Sequence, residues 1–242
     1  MIKISNADEY ADNWSKESEQ FESNDVYKKL SDLSPKGNVL EFGCGTGNGT
    51  FHLVKERNVL AFDSNKKLID QASDRLTGSK NSYCIHECDF FYLGASEKKL
   101  IMDFQPEIIV GWFIGSHGED IFKHTNEEPN PITKSKIYRE KIEDIIISPD
   151  VCIDSVQYIH LASRGEIVVG FTKEEIFNSQ KEDYDTYVFN KIGFEVIEVD
   201  SFEWVRDSSE FIYGQAHNPN VADGKVIPMI TSIVAKRIQS EL

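Results

Sequence analysis

Positive charge is scarce in this chain. Lys and Arg number 26 against 41 Asp and Glu, for a formal net charge of −15. A phosphate backbone would be repelled by most of such a surface, which disfavours nucleic acid as a partner. The best basic stretches, Lys134-Ser135-Lys136 and Arg139-Glu140-Lys141, are short and diluted by acids. Long apolar runs are absent too, and none reaches the roughly 18 residues that a bilayer span needs. Cysteine is sparse: Cys44, Cys84, Cys88 and Cys152 include no C-x-x-C pair, so no disulfide framework is expected. Cys84 and Cys88 fall on a strand and its exit, where buried small apolar residues are expected rather than a metal pair. The first residues, Met1 to Asp8, turn polar and acidic at once, unlike a secretory signal, and the expectation is a cytoplasmic protein with no membrane contact. Oligomeric state leaves no mark on the sequence.

What is present is the composition of an ordinary globular chain. Its 242 residues, 40% hydrophobic and 28% charged, suit one large α/β domain or a domain with an insertion. The stretch that organises it is Asn38-Val39-Leu40-Glu41-Phe42-Gly43-Cys44-Gly45-Thr46-Gly47-Asn48-Gly49. A short apolar run closes on an acid and breaks into alternating glycines, and Thr50 to Val54 resumes an apolar pattern compatible with a helix. Strand, glycine loop and helix form the architecture that holds a nucleotide-like ligand against backbone. Glycine has no Cβ, so the loop turns sharply and the ligand approaches the main chain.

The spacing does not fit the dinucleotide pattern G-x-G-x-x-G, since Asn48 or Thr50 falls at the third glycine position. The chain reads acidic-x-Gly-x-Gly-x-Gly, from Glu41 through Gly43, Gly45 and Gly47. That pattern resembles motif I of the class I S-adenosylmethionine-dependent methyltransferases. S-adenosylmethionine has no pyrophosphate to place at a helix N-terminus. It has an ammonium, a sulfonium and a carboxylate, so acceptors near the loop become useful. The resemblance, about residues 36–237, implies a doubly wound α/β fold. Its seven-stranded sheet is mostly parallel, with an antiparallel last strand inserted between the fifth and sixth. Helices cover both faces, and residues 1–35 form an N-terminal helical cap on a methyltransferase domain, 36–242, with a lid-like insertion at about 115–150.

The expected elements follow. Residues 5–33 read as amphipathic helix, with Tyr10, Trp14 and Phe21 on its apolar side. In the family that this chain resembles, such a helix lies over the cofactor, which makes Tyr10 and Trp14 candidates for contact with cofactor or substrate. A helix to about Arg57 follows the loop, and Asn58 to Phe62 is a second strand ending on Asp63. An acid about twenty residues past the loop is placed to accept from both ribose hydroxyls; Asp63 or Ser64 could instead cap the next helix. Tyr83 to His86 is a third strand, exiting through Asp89 and Phe90. There the family binds adenine, the acid accepting from the exocyclic amine. Pro106 to Ile114 is a fourth strand, and the crevice lies outside the carboxyl ends of strands one and four. Cys44, Gly111 and Trp112 join the cofactor candidates on that ground, and Phe113 and His117 the acceptor candidates. Methyltransferases acting on nucleic-acid amines carry an acid or Asn, Pro-Pro and an aromatic here, and Gly111-Trp112-Phe113-Ile114 departs from that.

Residues 115–133 are long, polar and turn-rich, which reads as a loop or lid. Two histidines and two acids within them match no metal spacing, and no metal is expected. Ile132 to Ile147 reads as helix, and a further helix runs through Val156, Ile159, His160 and Leu161. Glu166 to Phe171 reads as the fifth strand. Helices over 173–180 and 183–191 follow, then a sixth strand from Phe194, a polar segment from Arg206 to Val226, and a seventh strand over Pro228 to Lys236. The chain has no internal repeat.

Together these expectations describe an enzyme that moves a methyl group from S-adenosylmethionine to an O or N nucleophile of a small molecule by in-line displacement. His117 is the first candidate for a general base and His124 the second. A protein or RNA methyltransferase, and a methyltransferase-like binding protein without turnover, are the alternatives.

Overall fold

The computed structural model describes residues 5–205 and 226–239. The chain enters through α1 (Ala7–Ser23), whose first turn is closed by Asn6 Oδ1 accepting from the Glu9 amide at 2.9 Å. A break at Asn24 and Asp25, with Asp25 in the left-handed region, divides the expected single helix from α2 (Val26–Leu33). Then come β1 (Val39–Phe42), α3 (Asn48–Leu53), β2 (Val59–Asp63), α4 (Lys66–Leu76), β3 (Tyr83–Glu87), α5 (Ala95–Phe104) and β4 (Ile108–Trp112). The second half holds α6 (Gly118–His124), α7 (Pro131–Ile146), β5 (Tyr158–Val168), α8 (Lys173–Tyr184), β6 (Phe194–Glu203) and β7 (Val226–Arg237). A π turn and a 3-10 turn continue α8 to Ile192, and Gly193 at φ 72° ends the run as expected of a helix C-cap.

One sheet carries everything, in the order β3-β2-β1-β4-β5-β7-β6. β1 to β5 pair in parallel, and β7 runs antiparallel between β5 and β6. Side chains alternate across a strand, so each buried strand feeds two cores. Val39, Val59, Ile108 and Val110 face α1 to α4, where Ala11, Trp14, Phe21, Leu30, Leu53 and Leu68 meet them. Leu40, Leu60, Ile109 and Ile159 face the other helices, against Ile101, Tyr138, Ile142 and Phe189. α1 thus shares the core of the sheet.

Four expectations change. The stretch from Val156 to Leu161 is not a helix: β5 begins at Tyr158 and occupies it. A strand buried on both faces is a continuous apolar run with no period-two signature, and a short run of that kind cannot be told from buried helix by periodicity. The segment after β4 is not all loop, since α6 forms within it and α7 follows. Cys84 is exposed and Cys88 half-buried, because β3 is the edge of the sheet; all four cysteines are free. The helix after the glycine loop also stops at Leu53, short of Arg57. Residues 206–225, expected as a polar segment, lie outside the described residues.

Gly47 shows why the loop carries glycine. Its φ is 77°, and a methyl group built on it would lie 2.8 Å from both the Cα and the Cβ of Ala72 in α4. The glycine lets α3 start flush against α4. Gly47→Ala meets two penalties, the left-handed backbone at about 1–2 kcal/mol and overpacking at about 1–3 kcal/mol. Urea denaturation of this variant should show a loss of about 2–5 kcal/mol on that sum, and an unchanged midpoint would mean that α4 yields freely.

Candidate active site

The carboxyl ends of β1, β2 and β4 open onto one cleft. It is lined by Gly43 and Gly45 of the loop, Asp63, Ser64, Asn65 and Leu68 after β2, Phe90 after β3, and Phe113 to Ser116 after β4. Tyr10 and Trp14 close it from α1, and Tyr138 of α7 completes the wall.

Asp63 organises the floor. It is buried, and its Oδ2 accepts from the Gly45 amide at 2.8 Å while Oδ1 accepts from the Asn65 amide at 2.9 Å. Burial raises its pKa, and these backbone hydrogen bonds oppose the rise. Asn65 then caps α4, its Oδ1 accepting from the amides of Lys67 and Leu68, and its amide nitrogen donates to Ala7 O at 3.0 Å. Asp63 is therefore a structural keystone of the loop as well as a cleft residue.

Trp14 covers the glycine loop. A Cβ on Gly45 would lie 2.5 Å from Trp14 Nε1, so only glycine admits the indole. Tyr10 lies parallel to Trp14 at 6.4 Å between centroids, and the Arg164 guanidinium stands 5.2 Å from the Trp14 ring. α1 is pinned there by polar contacts. Ser18 Oγ meets Thr46 Oγ1 at 2.7 Å and Tyr27 OH at 2.9 Å, Asn48 Nδ2 donates to Ser18 Oγ at 3.0 Å, and Arg75 pairs with Glu19. Phe113, at φ 57°, is held by Phe21, Tyr27 and Trp14 around its ring. A bulky residue in that region is strained, and such strain persists only where the packing over-determines it. With the aromatics so placed the cleft holds about 30 Å³, room for a water or two.

Not every expected residue reaches this cleft. Glu41 is buried beneath it and accepts from Thr50 Oγ1 at 2.7 Å. Desolvation, partly offset by that hydrogen bond and reinforced by the charge of Asp63, pushes its pKa up to about 7. Cys44 is buried, and burial raises its thiol pKa. Gly47 packs on Ala72. Gly111 packs under Ile114, with Ile146 and Leu161 beside it, so it serves the contact with α7. Trp112 is buried against Gly49 and the ring of His160, at 5.2 Å. His160 lies wholly inside, between Ser34 Oγ and Ser232 Oγ at 2.8 Å each, and desolvation lowers its pKa to about 3. His117 occupies the N-cap of α6 with no side-chain cap bond, next to Ser116, and is not a lining residue. His124 and Asp89 lie behind the wall, close to one another. Reasoning from sequence passed over Asn65, Leu68 and Tyr138. Leu68 and Tyr138 lie on α4 and α7, and nothing local in the sequence points them at the cleft.

The strand order decides the fold, since a seventh strand lies antiparallel between β5 and β6 beside five parallel ones. The fold is that of the class I methyltransferases. No known family model matches the sequence, and neither does any curated protein. Solved structures that resemble the chain include magnesium protoporphyrin IX methyltransferase of Synechocystis with bound SAM, 14% identical over 91% of this chain and 80% of that one, TM-score 0.45. A DhpI–SAH complex is 12% identical over 97% and 96%, TM-score 0.47. Precorrin 8w decarboxylase of Methanobacterium thermoautotrophicum is 16% identical over 88% of each chain, TM-score 0.43. Likenesses this distant say nothing about chemistry.

Two variants probe the floor. Asp63→Ala leaves two buried amides without acceptors and should destabilise the protein by about 1–3 kcal/mol, read by thermal or urea unfolding. Unchanged stability would mean that water replaces the carboxylate. Glu41 concerns pH. Its folded pKa of about 7 lies above the ordinary 4.5, so the stability it contributes is present in acid and is lost as pH rises through about 7. That difference amounts to about 3 kcal/mol at most. Glu41→Gln removes the charge, and its stability from pH 5 to 8 should be flatter than that of the wild type, with the largest gain at pH 8.

Proposed function

We propose that this chain transfers a methyl group from S-adenosylmethionine to a small-molecule acceptor. The observation that carries the reading is the pairing of Asp63 with Gly45. An acid at the end of β2 and the glycine loop after β1 share one hydrogen bond and face one cleft at the point where the strand order reverses. Ligands of open α/β sheets bind at that point.

In this reading Asp63 and Ser64 take the ribose hydroxyls and Phe90 lies on the adenine. Gly43 gives the methionine part close access to backbone, since a Cβ there would meet nothing within 4 Å. Glu41, beneath the loop, holds negative charge near the ammonium group and gains from it, because a cation nearby lowers the cost of a buried carboxylate. A nucleoside-sized ligand needs roughly 300 Å³ or more, so Tyr10 and Trp14 must swing aside or α1 must lift. Closed again, they would exclude water and hold the methyl in line with the acceptor, which is most of what displacement at a sulfonium requires. Phe113 and Ser116 border the acceptor side. If the acceptor is a hydroxyl or an ammonium, His117 takes its proton, as it directly follows the lining residues Gly115 and Ser116. The acidic surface supports a small molecule over RNA.

S-adenosylhomocysteine should raise the melting temperature. A ligand at 100 times its Kd adds about 2.7 kcal/mol. NAD should not do so, and Asp63→Ala should lose the response. Tryptophan fluorescence should change on binding, and the change should vanish in Trp14→Phe. A shift with NAD and none with S-adenosylhomocysteine would refute the cofactor.

A further inference from the structure

We propose that Asp89, Asp120 and His124 form a binding site for one divalent transition-metal cation, behind the cleft wall and separate from the methyl-transfer chemistry. Two segments supply them: Asp89 follows β3, and Asp120 and His124 lie one turn apart on α6. One donor atom from each lies within 4.8 Å of the others. His124 Nε2 is 3.3 Å from Asp120 Oδ1 and 3.7 Å from Asp89 Oδ2. Around a tetrahedral ion with bonds of about 2.1 Å, neighbouring donors lie about 3.4 Å apart. The spacing already approximates that shell.

The imidazole supplies a second, independent observation. The His124 side chain is only 7% exposed, yet Nε2 makes no hydrogen bond. It is aimed between the two carboxylates and aligned with neither. A buried nitrogen without a partner is costly, and one coordinate bond would satisfy it while neutralising both acids.

Each ligand is also held from outside. The His124 ring is stacked on Phe91, 3.8 Å between centroids and 9° from parallel. Asp120 Oδ2 accepts from Tyr138 OH at 2.5 Å, which leaves Oδ1 for the cluster. Asp89 Oδ1 accepts from the Phe91 amide at 3.0 Å, which leaves Oδ2. One oxygen of each carboxylate is thus used for orientation and the other is presented inward, the arrangement that outer partners impose on metal ligands. The competing cation is Lys123, whose Nζ lies 3.2 Å from Asp89 Oδ2. Its side chain is 53% exposed and is free to move into water as the ion enters. One imidazole and two carboxylates suit zinc or manganese, whereas magnesium prefers oxygen donors alone. A bound ion would tie the segment after β3 to α6 and, through Tyr138, to α7. It assigns Asp89 to the cation in place of the adenine amine.

The test is calorimetric titration of the full chain, stripped with chelator and dialysed, with zinc, manganese and magnesium chlorides. The expected result is one saturable zinc site, with manganese weaker and magnesium at least about tenfold weaker again. His124→Ala and Asp120→Asn, each checked for folding by circular dichroism, should weaken zinc binding about tenfold or more. The asparagine oxygen can still accept from Tyr138, so that variant separates coordination from packing. Lys123→Ala should tighten binding severalfold, because a competitor is gone. No saturable binding by the wild type, or equal affinity in both ligand variants, would overturn the site. Magnesium binding as tight as zinc would overturn the nitrogen ligand. None of these readouts depends on S-adenosylhomocysteine binding, so the site and the methyl-transfer reading stand or fall apart.

Discussion

A buried carboxylate with two amide donors sits where β2 ends, and the local architecture follows from it. Asp63 loses hydration and is compensated by the Gly45 and Asn65 amides. The first bond sets the conformation of the glycine loop. The second sets the start of α4, since Asn65 is the residue that caps that helix. Asn65 also holds the start of α1 through Ala7 O. Loop, helix and cap therefore take their mutual positions from one side chain, and a change there reaches all three.

The two cores explain why the cleft forms where it does. The core under α1 to α4 ends in aromatics, Trp14, Phe21, Tyr27 and Phe113. The opposite core ends in Phe90, Phe91 and Tyr138. At the reversal point between β1 and β4 no connection crosses the sheet end, and these two aromatic sets face one another across the gap. Phe113 is held at positive φ by the first set. The wall of the second set rests on α6 and α7, with Asp120 and Tyr138 joined behind it. Polar groups are thus concentrated behind an apolar lining, where lower water access makes their interactions stronger and their mispairing more costly.

The sequence alone was enough for the frame. Glu41 to Gly47 marked the loop and Asp63 the end of β2, while the insertion of β7 between β5 and β6 came from the resemblance to the class I methyltransferases. These signals are local: a glycine at positive φ, an acid at a strand end and a β-branched run each act within a few residues of themselves. The fifth strand was misplaced because burial on both faces of Tyr158 to Leu161, His160 included, erases the alternation that identifies strands. Which glycine faces ligand and which faces a helix was also beyond reach, as Gly43, Gly47 and Gly111 look alike in sequence. Tertiary contact decided that: open space at Gly43, Ala72 against Gly47, Ile114 against Gly111. The convergence of Asp89 with Asp120 and His124 was likewise a product of folding, because it joins segments on either side of α5 and β4 and so has no spacing to read. Local conformational preference wrote the strands, the loop and the helix caps into the chain, whereas the direction of each side chain depended on the neighbours that only the packed sheet brings together.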